Sequence, residues 1–213
     1  MRILSGIWSG IAVVVFLLIV IGGSITLTAM TSTSVSLSSA LADPYLIGVI
    51  RFTIGQAVLS TVISVGLALI VTRALARRSK FPGRGLLISL MGLPVVMPVI
   101  VAIFGITAVF GKSGLLNQLL SLFGVEQSFT VYGLTGILLA HTFFNLPLTI
   151  RLLLPAWESI SRENWRLASM LGMSSRQLFR LLEWPSISDR LPGICLIVFL
   201  LCFTSFAVVL TLG

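Results

Sequence analysis

The chain alternates between long apolar runs and short polar interruptions, with no sustained period-two alternation anywhere. No charged residue occurs from Ile3 to Ala42. Further apolar runs cover roughly residues 52–71, 86–110, 131–153 and 194–213, each about as long as the ~20 residues a helix needs to cross a bilayer. A membrane barrel would instead show alternating segments of about ten residues. Backbone polar groups in lipid must be satisfied within the segment, so continuous apolar runs predict helices. The expected fold is all-α, a polytopic transmembrane helical bundle in one domain over residues 1–213. It has about five spans, the first over residues 11–30.

Composition supports that class. Of the 213 residues 57% are hydrophobic and 9% charged, whereas a soluble domain averages about 25% charged. Lipid must therefore be most of the solvent. The net charge of +8 reads as loop bias in a membrane chain, with no nucleic-acid partner implied. Ala40-Leu41-Ala42 resembles a signal-cleavage site, but the apolar stretch ends near Ile21, and an uncleaved anchor is favoured. Placing the N-terminus in the cytoplasm puts every basic residue inside except Arg51 and Lys112, of the 14 present, as the positive-inside rule asks. The last run reaches Gly213, which suggests one half of something longer.

The loop over about residues 154–190 carries the chemistry. From Arg151 to Arg190 there are six arginines and four acids, Glu158, Glu163, Glu183 and Asp189. Each charge at mid-bilayer costs about 2.5–3.5 kcal/mol, so this stretch does not span. Ser161 is placed to cap a helix with Glu163 in its first turn, and Gly172 to end it with positive φ. Ser174 and Gln177 form a capping-box pattern. Beyond it, Leu178, Phe179, Leu181 and Leu182 share one face, and Arg176, Gln177, Arg180 and Glu183 the other. Pro185 is expected to stop that second helix. In the first helix Trp165, Leu167, Ala168 and Leu171 form an apolar arc, while Met170 sits with Arg166 and Ser169. Two readings stand side by side: an interfacial pair on lipid headgroups, or a helix presented to a cytosolic partner's groove.

The order Arg166-Leu167-Ala168, Gly172, Leu182, Trp184 and Pro185 resembles the "EAA" loop of permease subunits of binding-protein-dependent ABC importers. That loop reads E-A-A-x3-G-x9-I-x-L-P. Arg166 stands at the glutamate position, Leu167-Ala168 at the alanine pair, Leu182 for isoleucine and Trp184 for leucine. The stretches LPVVMPVIVAIFGI, AHTFFNLP and CFTSFAVVLTLG are similar to the N-terminal half of double-length permeases in the iron/thiamine-type group. The resemblance implies a type I importer architecture in a bacterial inner membrane. It implies a coupling helix near Ser161–Leu171 and a coupling set of Arg166, Leu167, Ala168, Met170, Gly172, Leu182 and Pro185. The implied partners are an ABC ATPase dimer, a periplasmic solute-binding protein and a second transmembrane half. Mg-ATP would bind the ATPase, with no cofactor on this chain. The implied solute is thiamine or a thiamine phosphate. Iron(III), or another small solute of the same group, is the alternative.

Other features change the picture less. GKSG at residues 111–114 lacks the upstream glycine of a phosphate-binding loop, since position 106 is Ile106. Gly6 and Gly10 offer a weak packing motif. Pro94, Pro98 and Pro147 punctuate the middle runs, marking bends along a path or plain packing. Gln56, His141, Thr142 and Asn145 are polar groups inside spans, read either as the substrate path or as interhelical hydrogen bonds. Cys195 and Cys202 fit no metal or disulfide pattern, and no catalytic or metal-ligating constellation is found. An ion-coupled transporter would need more ionisable groups within the spans than His141 alone.

Overall fold

Hydroxyl groups in apolar helices need internal partners, and the first helix, α1 (Leu18–Thr28), supplies them. Ser24 donates to the Val20 carbonyl at 2.7 Å, Thr26 to Gly22 at 2.9 Å and Thr28 to Ser24 at 2.7 Å. The computed structural model describes residues 15–16, 18–28, 30, 42–78, 80–124 and 130–213. Arg2, the Gly6/Gly10 pair and most of the Ala40–Ala42 motif lie outside them. The described residues fall into two compact units divided at Ile50 and Arg51. The first holds α1 and the start of α2 (Pro44–Arg77), where the Asp43 side chain accepts the Tyr45 amide at 2.9 Å.

In the second unit, α2 buries a stripe of small and polar residues. Gln56, Ser60, Ser64, Ala68 and Thr72 recur every fourth position, with Ala57, Thr61 and Val65 beside them. The opposite side exposes Val58, Val62, Leu67 and Ile70. Small residues inward and large apolar ones outward is the pattern for helices packing closely in lipid. The chain then forms α3 (Arg84–Leu90), α4 (Leu93–Val96), α5 (Val99–Phe110) and α6 (Leu115–Leu122). After them comes α7 (Leu134–Glu158), with Pro147 and Pro155 inside it. Next are α8 (Arg162–Met170) and α9 (Ser175–Ser188), followed by α10 (Leu191–Phe203) and α11 (Phe206–Leu212).

α7 is the organising helix. One buried cluster gathers its Ile150, Leu153 and Trp157 with Val65 and Leu75 of α2, Ile187 of α9, and Ile194 and Val198 of α10. A second gathers Ile137 and Ala140 with Ile103 and Ile106 of α5 and Val208 and Leu212 of α11. Gly136 is tightly placed, because a Cβ there would collide with the Val131 carbonyl.

The predicted runs are interrupted by helix breaks in two places. The stretch 86–110 is three helices. Proline disfavours the α conformation of the residue before it, and Met97, ahead of Pro98, is extended at φ −72°, ψ 131°. The stretch 194–213 breaks at Thr204–Ser205, with Ser205 at φ −79°, ψ 68°. Among the described residues three helical segments are long and apolar enough to cross a membrane: Pro44–Arg77, Val99–Leu122 and Leu134–Glu158. A fourth crossing results if α9 and α10, bent by 60°, act as one. The described residues are all-α, a polytopic helical membrane fold.

Candidate functional site: the α8–α9 loop and the polar seam above it

α8 is bounded by caps at both ends. The Ser161 hydroxyl accepts the Asn164 amide at 3.2 Å. At the other end Gly172 takes φ +60°. Its amide donates to the Ser169 carbonyl at 3.1 Å, and the Met173 amide to Ala168 at 3.1 Å. This pair of bonds is the Schellman arrangement, which an L side chain at the glycine position would strain. Ser174 then opens α9 with its capping box: the Ser174 amide donates to Gln177 Oε1 at 2.8 Å, and the Gln177 amide to Ser174 Oγ at 3.4 Å. Two caps around one glycine hold α8 as a short rigid rod with a fixed exit.

The rod presents an apolar tip. Leu167 is 57% exposed, Met170 83% and Leu171 72%, while Ala168 is buried and Trp165 packs against the core. Arg162, Glu163 and Arg166 are exposed alongside. The predicted arc is thereby divided: Trp165 and Ala168 attach the helix, and Leu167, Leu171 and Met170 face away. Of the residues singled out from sequence, Arg166, Leu167, Met170 and Gly172 lie on this exposed element. Ala168 is packing, Leu182 is half-buried against the core, and Pro185 is exposed within α9.

α9 corrects two expectations. Pro185 does not end the helix, which continues to Ser188. Residues Phe179–Glu183 form a π-helical turn just before it. Proline removes one amide and crowds the carbonyl four residues back, and a π turn accommodates both by widening the ring of hydrogen bonds. Ser186 Oγ donates to the Leu182 carbonyl at 2.9 Å, satisfying one of the loosened acceptors. The extra residue per turn also rotates the register. Glu183, assigned to the polar face, is fully buried, and Leu181, assigned to the apolar face, is exposed.

Glu183 turns inward onto the C-terminal end of α2. Arg73 Nε donates to Oε2 at 2.6 Å and Arg77 Nε to Oε1 at 2.7 Å. The same guanidiniums reach back to Ser175, Arg73 to its carbonyl at 3.1 Å and Arg77 to its hydroxyl at 3.0 Å. Arg73 also lies 4.7 Å from the centre of the Phe179 ring. One buried carboxylate thus accepts from two guanidiniums one helical turn apart, a charge-assisted arrangement stronger than neutral hydrogen bonds. It clamps α9 to α2. A second tie, Arg84 to Glu158, joins the start of α3 to the end of α7.

Further along α2 and α7 runs a buried polar seam. Ser60 Oγ lies 2.9 Å from His141 Nδ1. Gln56 Nε2 donates to the Cys202 carbonyl at 3.3 Å, and Asn145 Nδ2 to Cys202 Sγ at 3.2 Å. Gln56, His141 and Asn145 are therefore brought together by α2, α7 and α10. Thr142 is not with them. One residue on from His141 it is rotated about 100° around the helix, and it lines an apolar groove with Ile63, Pro94, Phe110 and Pro147.

No protein-family model matches the chain. It is 50% identical over 171 residues to the thiamine transport system permease protein of Brucella abortus (strain 2308), a stretch covering 80% of this chain and 32% of that protein. Against the protein of the same name from Escherichia coli (strain K12) it is 49% identical over 171 residues, with the same coverage. The Haemophilus influenzae counterpart is 39% identical over 204 residues, 96% of this chain and 38% of that protein. The chain spans about a third of the length of these relatives. By sustained identity over most of its residues, together with its all-α membrane fold, the chain is a homologue of the thiamine transport system permease proteins, equivalent to about a third of their length.

Proposed function

We propose that this chain forms part of the membrane pathway of an ATP-driven thiamine importer in a bacterial inner membrane. α8 is the element a cytosolic ATPase grips. The observation that carries this reading is the capped rod of α8 with Leu167, Met170 and Leu171 facing away from the core, in a chain about half identical to thiamine permeases. Helix-in-groove recognition uses such a short apolar face rimmed by charge. Arg166 at the family's acidic position makes the contact depend on shape and apolar burial more than on a particular ion pair. The loop faces the cytoplasm, as does the N-terminus, because the basic residues gather on that side.

The partners under this reading are an ATPase dimer that binds Mg-ATP, a periplasmic binding protein that delivers the solute, and a second transmembrane half. This chain binds no ATP and catalyses no bond cleavage. Its work is to convert movement of α8 into movement of the spans.

Uptake into right-side-out membrane vesicles loaded with or without ATP separates this reading from an ion-coupled carrier. Full-length permease carrying this segment, with its ATPase and binding protein, is expected to accumulate thiamine only when ATP is supplied, and to do so unchanged when a protonophore collapses the ion gradients. Uptake that survives ATP depletion and stops with the protonophore contradicts it.

A further inference from the structure

The capped rod of α8 has a second face. Arg162, Trp165 and Arg166, three and four residues apart, line a cavity of about 680 Å³ between α8 and its neighbours. Leu167, Met170 and Leu171 are turned round the helix from them, at 100° per residue. Arg77, the last residue of α2, and Glu158, the last of α7, also stand in the wall. Both helices are long and apolar enough to cross a membrane, so their ends put the cavity at headgroup depth. Trp157 and Trp165 are in the wall as well, and tryptophan gathers at that level.

We propose that this cavity holds the headgroup of an anionic phospholipid of the cytoplasmic leaflet, which supports α8 on the side away from its apolar tip. The proposal rests on the importer reading only for the side of the membrane. The wall carries three arginines against one glutamate. Glu158 is taken by Arg84, and Arg77 by Glu183 and Ser175. Arg162 and Arg166 are exposed and have no partner among the described residues. A guanidinium offers a phosphate two parallel N–H donors. Trp157 adds a neutral donor: its indole Nε1 is buried and has no hydrogen-bond partner among the described residues, which is costly until an acceptor arrives. Ala76, Ile160 and Leu178 complete the wall with apolar surface for the glycerol and the first acyl carbons. Basic pockets between helices on the cytoplasmic side are where anionic headgroups bind. A zwitterionic headgroup would bring its own cation against Arg162 and Arg166, which is unfavourable. The two expectations for this loop, a helix on lipid headgroups and a helix in a partner's groove, then apply to two faces of one rod.

Lipid retention tests the site. Full-length permease carrying this segment, assembled with its ATPase and binding protein, is transferred from nanodiscs of equal phosphatidylglycerol and phosphatidylcholine into native mass spectrometry. Phosphatidylglycerol is expected to stay bound in preference to phosphatidylcholine. Arg162→Gln with Arg166→Gln weakens that retention by about tenfold or more, as the loss of charge-assisted hydrogen bonds requires. Arg176→Gln with Arg180→Gln makes the same charge change at exposed positions outside the wall and leaves retention unchanged, as does inorganic phosphate in excess. If the Arg162 and Arg166 pair does not assemble with the ATPase, Arg162→Gln alone takes its place, with a smaller loss expected. Retention equal to wild type in the cavity variant overturns the site, and so does an equal loss in the Arg176 and Arg180 control. Release of the lipid by inorganic phosphate overturns the phospholipid as occupant. Thiamine uptake is read separately, in proteoliposomes of the same preparation. Absence of ATP-driven uptake by the wild type overturns the importer reading, while selective retention that depends on Arg162 and Arg166 supports the headgroup site by itself.

Discussion

Replacing Gly172 by proline is expected to abolish coupled thiamine uptake while leaving membrane insertion and the amount of permease unchanged. Gly172 holds φ +60°, and proline is locked near −65°. The substitution also deletes the amide that donates to Ser169. It clashes with Leu171 as well, which precedes it at φ −79°, ψ 2°, a conformation disfavoured before proline. The turn must rebuild at a local cost of about 3 kcal/mol or more, and α8 loses its fixed exit into α9. Because Gly172 is exposed and has no neighbour within 4 Å of its Cβ direction, the core clusters are untouched. The expected readout is ATP hydrolysis that continues without solute transport. Gly172→Ala, which meets only the left-handed strain of about 1–2 kcal/mol, should fall between wild type and proline. Wild-type uptake by the proline variant would remove α8 from the mechanism.

Removing Glu183 is the second large effect. Glu183→Ala leaves Arg73 and Arg77 without their shared acceptor. Breaking a buried pair costs about 3–5 kcal/mol. The two arginine side chains are 31% and 32% exposed, so water recovers part of that and a loss of about 1–3 kcal/mol is expected. Uptake should fall by about fivefold or more, since each 1.4 kcal/mol is a factor of ten. Binding of the ATPase to the permease should persist, because α8's exposed tip is unchanged. Arg73→Ala and Arg77→Ala each keep one bridge and should lose less. The double variant should fall short of the sum when combined with Glu183→Ala, since groups in one network do not add. Full additivity in that cycle would show that the three residues act separately and that α9 is not clamped to α2 through Glu183.

These two residues mark where the sequence was legible and where it was not. The caps around α8 depend on chemistry local to a few residues: a serine before an acid, a glycine after an apolar helix, a serine three before a glutamine. All of them appear where the sequence places them. Glu183 depended on register. Counting at 3.6 residues per turn puts it with Arg176 and Arg180, and the π turn before Pro185 rotates it to the buried side. The available signal was Arg73 and Arg77, one turn apart at the end of α2, facing a lone acid set among Leu181, Leu182 and Trp184. The broken helices behaved similarly. The sequence reads Pro94 and Pro98 as bends or plain packing, and the full break at Met97 comes from the restriction that Pro98 places on the residue before it. Nothing comparable announced the break at Ser205. Thr142 was grouped with His141 and Asn145 by proximity in sequence, and a single helical step separates it from them.

The claim on which the rest depends is that a cytosolic motor grips α8. It is tested most directly by a cysteine at Met170, the most exposed large hydrophobic residue of the rod, crosslinked to cysteines introduced along the groove of the ATPase in the assembled transporter. The account predicts a disulfide-length crosslink at Met170 that forms in high yield, changes with ATP binding and arrests uptake until reduced. A crosslink absent at every groove position, with transport intact, or labelling of position 170 only from the periplasmic side, would contradict it.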